Sequence, residues 1–273
     1  MKQNVKLNAR SGLAAATEAA LAVGELLLKN RHAVKKINEQ VQHDIKLELD
    51  VRSQKLIESR LLKTFPGAAA VFGEEGVSGD PNADLRWVID PIDGTVNFAY
   101  GIPHACVSIA LQQRAKAGKG VTRDGYQTIA GVVHDPFCQE TWTATLNGPA
   151  KLNGRKISVS ARAKVDLAIV SMGFAKSAGV TSAMLPILND LVYRVRKIRV
   201  MGSAALSMVY VACGRFDAYI EGGVRLWDIA AGGLILERAG GEFWREEIDT
   251  EHTYRLLASN GLLRKKLNVT MPA

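Results

Sequence analysis

Apolar positions recur at helical spacing over residues 11–30, SGLAAATEAALAVGELLLKN. Leu13, Ala20, Leu21, Gly24, Leu27 and Leu28 share one face there, and Ser11 stands where an N-cap would be. A second helix is predicted over residues 50–63, with Leu56, Ile57 and Leu61 turned inward and Pro66-Gly67 ending it. Just before it, DIKLELD alternates polar and apolar residues like a short strand, over too few positions to separate strand from helix. Further on the period drops to two. RWVID, SIALQQ, TIAGVVHD, ETWTAT and KISVS are short, β-branched or aromatic, and separated by turn residues. RAKAGKGVTRDGYQ has glycine and charge with little apolar content and reads as an exposed hairpin loop. From about Ala168, strands (AIVSMG, KIRVMG, FDAYIE) alternate with helices, and YRLLAS is the last strand. Strands first and alternation afterwards predict an antiparallel layer joined to an α/β layer, an α/β (α+β layered) fold. No linker separates the two, so the expected organisation is one unit with subdomains at 1–165 and 166–273.

Composition narrows the class. With 273 residues, 47% of them apolar, the chain can bury a large core. No apolar stretch is expected to span a bilayer, and MKQNVKLNARSG lacks the apolar segment of a secretory signal. Cys106, Cys138 and Cys213 form no CxxC pair, which argues against a disulfide framework or a zinc knuckle. A reduced, cytoplasmic protein is expected. The net charge of +8 favours anionic partners or reflects a solvated basic surface.

The chemistry concentrates in VIDPIDGTVNF, residues 88–98. Pro91 cannot continue a central ladder, so the strand is expected to stop there, leaving Asp90 and Asp93 at its carboxyl end. Two carboxylates about 4 Å apart repel by roughly 4 kcal/mol at an effective dielectric near 20. A proton, a nearby Arg or Lys, or a metal must offset that. Gly94-Thr95 follows, and backbone N–H groups at a turn or helix start bind anions. Carboxylates for a cation beside amides for an anion suit a hard divalent ion bridging to phosphate, with oxygen-only ligands favouring Mg²⁺. An Asx-Pro turn with a capping Asp is the plain structural alternative.

DPIDGTVNF resembles the signature of the inositol monophosphatase family of Mg²⁺-dependent, lithium-sensitive phosphatases. WDIAAGGLILERAGG (227–241) resembles its second motif, and GEE (73–75) its upstream acidic element. KLNGRKISVS, RVMGSAAL, FDAYIE and LLASNGLL are lesser matches in the same order. The resemblance implies the alternating α-β-α-β-α sandwich shared with fructose-1,6-bisphosphatase, two or three Mg²⁺ ions, and commonly a homodimer. It implies that Glu74, Asp90, the Ile92 carbonyl, Asp93 and Asp228 hold metal, and that Gly94 and Thr95 contact phosphate. Glu74 and Thr95 would orient the attacking water, with Asp44 behind Thr95. Asp93, Ala204, Glu221 and Asp228 would face the substrate. Trp227 and Glu75 read as core packing and surface charge. Neutralising Asp93 is expected to reduce turnover by several orders of magnitude, leave the fold intact and relieve repulsion in the metal-free protein.

One departure stands out. The family's D-x-V-T-x-x-D is DIKLELD here: Asp44 and Asp50 are kept, Leu47 replaces Thr, and Lys46 replaces a small apolar residue. The resemblance favours inositol monophosphate as substrate. Fructose 1,6-bisphosphate, histidinol phosphate and 3′-phosphoadenosine 5′-phosphate are alternatives, with Arg225 placed to touch a second phosphate. Bacterial relatives also act as RNA-polymerase- or RNA-associated factors, and YRVRKIR (193–199) is the basic stretch that would suit such a partner.

Overall fold

The computed structural model describes residues 7–41, 44–174 and 178–269, the side chains at 40, 41, 44 and 45 excepted. Helix α1 (Ala9–Asn30) starts one turn earlier than its apolar period suggests. Asn8 is the N-cap: its side-chain oxygen accepts from the N–H groups of Arg10 and Ser11 at 2.9 and 3.1 Å. Ser11 returns the bond by accepting from Asn8 N–H at 3.0 Å, so it is the reciprocal partner of a capping box rather than the cap. The inward face is also rotated from the leucine stripe. Gly12, Ala15, Ala16, Ala19, Ala20, Val23, Gly24 and Leu27 are buried, while Leu21 is exposed. Small side chains let the helix lie close to the sheet beneath it. By length and composition α1 is also apolar enough to cross a membrane, against expectation. Here its small face is packed inward and Glu18, Glu25 and Lys29 face outward.

A hairpin of β1 (Ile37–Val41) and β2 (Asp44–Leu47) leads into α2 (Glu48–Thr64). DIKLELD is therefore half strand and half helix. Strands β3 (Ala70–Gly73), β4 (Gly76–Ser78) and β5 (Leu85–Asp93) follow, then the short α3 (Thr95–Ala99). Next come β6 (Cys106–Arg114), β7 (Tyr126–Asp135), β8 (Glu140–Thr145), β9 (Lys151–Leu152) and β10 (Arg155–Lys156). These form an eight-stranded sheet in the order β10-β9-β8-β7-β6-β5-β3-β4, parallel only between β3 and β5. KISVS contributes little strand. Beyond Lys156, the N–H groups of Ile157 and Val159 bond to the Ala150 and Ala239 carbonyls instead of a ladder.

The second half runs β11 (Ile169–Met172), α4 (Ala178–Arg194), β12 (Lys197–Arg199), α5 (Ala204–Ala212), β13 (Ala218–Arg225), α6 (Leu226–Arg238), β14 (Glu242–Glu247), β15 (Thr253–Ser259) and α7 (Arg264–Leu267). Its sheet order is β12-β11-β13-β15-β14. Strand β14 was not foreseen: EFWREE carries too much charge for a period-two signal.

Three apolar clusters stack these elements. Trp87, Ile89, Ile109 and Leu111 pack under α1 and α2. The alternate residues Val88, Cys106 and Ala110 face α5 and α6, which also receive Tyr219 and Leu256 of the second sheet. That sheet's far side, with Val170 and Ile220, packs on Met184 and Leu191 of α4 and Leu267 of α7. The result is an α-β-α-β-α sandwich in which central strands are buried on both faces.

Candidate active site

The strand carrying the two aspartates does not stop at Asp90. It runs through Pro91 as a bulge: Asp90 pairs with Ser108 and Asp93 with Cys106, with a register shift between. The bulge accommodates a proline in an inner strand, because β3 has already ended beside it. It also brings both carboxylates to the same end of the sheet. Asp90, Asp93 and Asp228 each offer an oxygen, and the three oxygens lie within 4.8 Å of one another.

Each is held by its own bonds. Asp90 Oδ1 accepts from Ile92 N–H at 3.0 Å. Asp93 reaches across to the start of α5, accepting from Ser203 Oγ at 2.5 Å, Ala205 N–H at 2.7 Å and Ala204 N–H at 3.2 Å. Asp228 sits in the first turn of α6 and accepts from Arg225 N–H at 2.7 Å. It is thus a capping residue that also brings an oxygen to the cluster. Ser203 was missed in sequence, although a serine before an apolar run is an N-cap signal. Ala204, expected in the substrate pocket, is buried and gives its N–H to Asp93.

Glu74 occupies the two-residue turn between β3 and β4, and its N–H donates to Ile89 O at 3.0 Å. Thr95 Oγ1 donates to the Ile92 carbonyl at 2.8 Å and lies 3.4 Å from Asp50 Oδ1. Asp50 is thus the described carboxylate beside Thr95. Asp44 opens β2 six residues earlier, and its side chain lies outside the described residues. Asp50 is the third residue of α2, its Oδ2 fixed by Leu47 N–H at 2.6 Å. Leu47 itself is buried in the apolar layer under α1 and α2. Gly94 has φ +92°, and a Cβ there would fall 2.9 Å from His104 O. Its glycine is required by the turn and by close backbone packing. Asn97, another residue missed in sequence, pins that packing by donating to His104 O at 2.9 Å and Met201 O at 2.8 Å.

Electrostatically the site is overloaded with negative charge. Burial pushes the Asp90 carboxyl well above the usual range, and Glu74, Asp93, Asp228 and Asp50 push it further. Burial also raises Asp93, against the pull of Ser203, Ala205 and Ala204. Asp50 is raised to about 8, by burial first and then by Glu74 and Glu75 in spite of its bonds from Leu47 and Thr95. Glu75, read as surface charge, is half-buried and belongs to this field. The largest influences on Asp50, Asp90 and Asp93 are burial, further carboxylates and uncharged hydrogen-bond donors, with His104 also acting on Asp93. Oxygen donors crowded together and raised by one another's charge fit a hard divalent cation.

On the far side, Glu221 of β13 accepts a short hydrogen bond from Tyr219 OH. Burial lifts its pKa to about 7, and Asp93 adds to the rise. A Cβ on Gly173 would lie 1.7 Å from Glu221 Oε2, so glycine makes the space for this carboxylate. Arg225 turns away, donating to Glu251 O at 3.0 Å and Thr253 Oγ1 at 2.9 Å. In the basic stretch, Arg194 pairs with Asp190 while Tyr193, Arg196, Lys197 and Arg199 are exposed.

A second charged cluster lies behind Phe72, whose ring is 5.6 Å from Trp227 and 5.3 Å from His252, centroid to centroid. Arg86 donates to Asp124 Oδ2 at 2.5 Å and to Gln112 Oε1 at 2.8 Å, and its guanidinium lies 3.9 Å from the Tyr126 ring centroid. His252 bridges Asp124 at 3.3 Å and Glu247 at 2.8 Å. The bond to Asp124 raises the His252 pKa, and burial opposes it. Asp124 is held below the carboxylate range: burial would raise it, but His252, Thr122 and Arg86 outweigh that.

The comparisons with known proteins agree with this geometry. The model of the inositol monophosphatase family matches residues 8–269. The chain is 36% identical over 227 residues to the Nus factor SuhB of Xylella fastidiosa, covering 82% of this chain and 78% of that one. It is 35% identical over 263 residues to the inositol-1-monophosphatase of Synechocystis, covering 94% and 88%. Among solved structures, extragenic suppressor protein suhB from Bartonella henselae superposes with a TM-score of 0.84 at 30% identity, covering 94% and 96%. The inositol monophosphatase from Anabaena (Nostoc) gives 0.79 at 31%, covering 96% and 95%. A carboxylate cluster of Asp90, Asp93 and Asp228, carried on this five-layer sandwich and matched by the family model over nearly the whole chain, places the protein in the inositol monophosphatase family.

Proposed function

We propose that this chain hydrolyses the phosphate monoester of a small polyol, inositol monophosphate foremost, with Mg²⁺. The observation that carries the reading is the Asp90–Asp93–Asp228 trio, three carboxylates close together with Glu221 near Asp93. Asp90, Asp93 and Asp228 would hold the ions together with Glu74 and the Ile92 carbonyl, which keeps a lone pair beyond the one Thr95 uses. Such an ion supplies Lewis-acid polarisation of the phosphoryl group and neutralises developing charge.

The chain's own groups do the rest. Glu74 and Thr95 orient the attacking water, and Asp50 steadies the Thr95 hydroxyl. The backbone at Gly94 and Thr95 faces the phosphate. Glu221, fixed by Tyr219, accepts from polyol hydroxyls. Arg225 is committed to Glu251 and Thr253, which removes that arginine from a second phosphate and favours a monophosphate over a bisphosphate. The test is phosphate release, with and without Mg²⁺, from inositol 1-phosphate, fructose 1,6-bisphosphate, histidinol phosphate and 3′-phosphoadenosine 5′-phosphate. The expected result is Mg²⁺-dependent release, fastest from inositol 1-phosphate. A folded protein inactive on all four would overturn the reading, and a preferred bisphosphate would overturn its substrate.

A further inference from the structure

Glu74 sits on a turn of only two residues, and a turn that short does not hold a side chain in place by itself. One side is secured by the sheet, through Glu74 N–H to Ile89 O. The other side is secured by Gln54 of α2, a polar residue that is 4% exposed. Gln54 Oε1 accepts from Glu75 N–H at 2.9 Å. Its Nε2 donates to Gly76 O at 3.0 Å and to Glu58 Oε1 at 2.9 Å. The amide thus grips the 74–75 and 76–77 peptide links, one on each side of the Glu75–Gly76 pair. The fit is tight: a Cβ on Gly73, the residue before Glu74, would fall 2.3 Å from Gln54 Oε1.

The chemistry of the grip is specific. One end must accept while the other donates twice, which an amide does and a carboxylate cannot. A glutamate here would also add a charge among Asp50, Glu58, Glu74 and Glu75. Methionine has similar bulk and neither function. Gln54 follows Asp50 by four residues, so both project from the same side of α2, about 6 Å apart along the axis. One helix face therefore steadies Thr95 through Asp50 and Glu74 through Gln54.

We propose that Gln54 is a positioning residue for Glu74, fixing the β3–β4 turn so that the Glu74 carboxylate is preset for a divalent cation. The inference rests on the metal reading above.

The test uses the full chain with Gln54→Met, Gln54→Glu and, as a control that leaves both turn bonds in place, Glu58→Gln. Hydrogen exchange of the metal-free proteins reads the turn directly. Gln54→Met should accelerate exchange in residues 73–78 and leave β7 unchanged. Calorimetric titration with Mn²⁺ alone should show affinity weakened by about 10–100-fold, the range for partners that orient metal ligands. Phosphate release should need more Mg²⁺ for half-activation, with kcat largely recovered at saturation. Gln54→Glu should weaken Mn²⁺ binding also, and Glu58→Gln should not. Unchanged exchange at 73–78, unchanged Mn²⁺ affinity in both Gln54 variants, or an equal loss in Glu58→Gln overturns the positioning role. A wild-type protein that binds no Mn²⁺ overturns the metal reading itself, and this inference with it.

Discussion

Two clusters of charge in this molecule are built on opposite plans. In one, packed against Phe72, Arg86 and His252 are interleaved with Asp124 and Glu247, so each carboxylate meets a cationic or hydrogen-bonding neighbour. In the other, Asp50, Asp90 and Asp93 are buried, and the largest influences on them are burial, further carboxylates and uncharged donors, with the half-buried His104 acting on Asp93. The first arrangement is complete as it stands and ties the β6–β7 loop to the β14–β15 turn. The second costs folding free energy until something positive arrives. Burial alone does not mark a functional site; burial without compensation does.

The largest expected effect comes from removing a carboxylate on the uncompensated side. Asp93→Asn should lower Mg²⁺-dependent phosphate release on the order of 10³-fold, because a metal ligand is lost. Relief of repulsion suggested a metal-free variant that melts higher, but the structure argues otherwise. Asp93 accepts three bonds from Ser203, Ala204 and Ala205, and an Asn amide places N–H against N–H there. Its metal-free melting temperature, read by scanning calorimetry, should not rise.

Next in size is the pH response of the metal-free protein. Asp50 and Glu221 titrate at about 8 and about 7 when folded, above their ordinary values of 3.8 and 4.5. Between those limits the folded chain binds more protons than the unfolded one, so stability falls as pH rises. The melting temperature should drop on the order of 10 °C from pH 5 to pH 8. Saturating Mg²⁺ should flatten that drop. A smaller fall should persist, because His252, raised when folded, gives stability below its ordinary pKa that is lost as pH rises through the folded value. An identical drop with and without Mg²⁺ would erase the distinction between the clusters.

The smallest effect tests the compensated side. Arg86→Met leaves Asp124 and Gln112 without their partner and should cost about 2 kcal/mol, less than a fully buried pair because Asp124 is partly exposed. Mn²⁺ affinity should not change.

What the sequence revealed of the site is what lies close along the chain. Asp90, Asp93, Gly94 and Thr95 fall within one bulge and turn, and Asp228 within one helix start. The five layers followed from the order of strands and helices together with the family likeness. The contact of Asp50 with Thr95 was harder to read, since it depends on where β2 becomes α2, a junction inside seven alternating residues. Ser203 and Gln54 were hidden for another reason. Their partners lie 110 and 21 residues away, and no local period encodes such pairings. The face of α1 was misplaced because leucines outweigh alanines in any apolar pattern, whereas close packing selects for small volume.

That last feature also governs which changes the chain can absorb. On α1 the usual rule, that cores resist polarity and surfaces resist grease, is replaced by one of size. A Cβ added at Gly24 would fall 2.4 Å from His134 Nε2, so even an alanine there must displace the imidazole or the helix. Drift along this helix is free to swap charges on its outer side, but on its inner side it is rationed atom by atom.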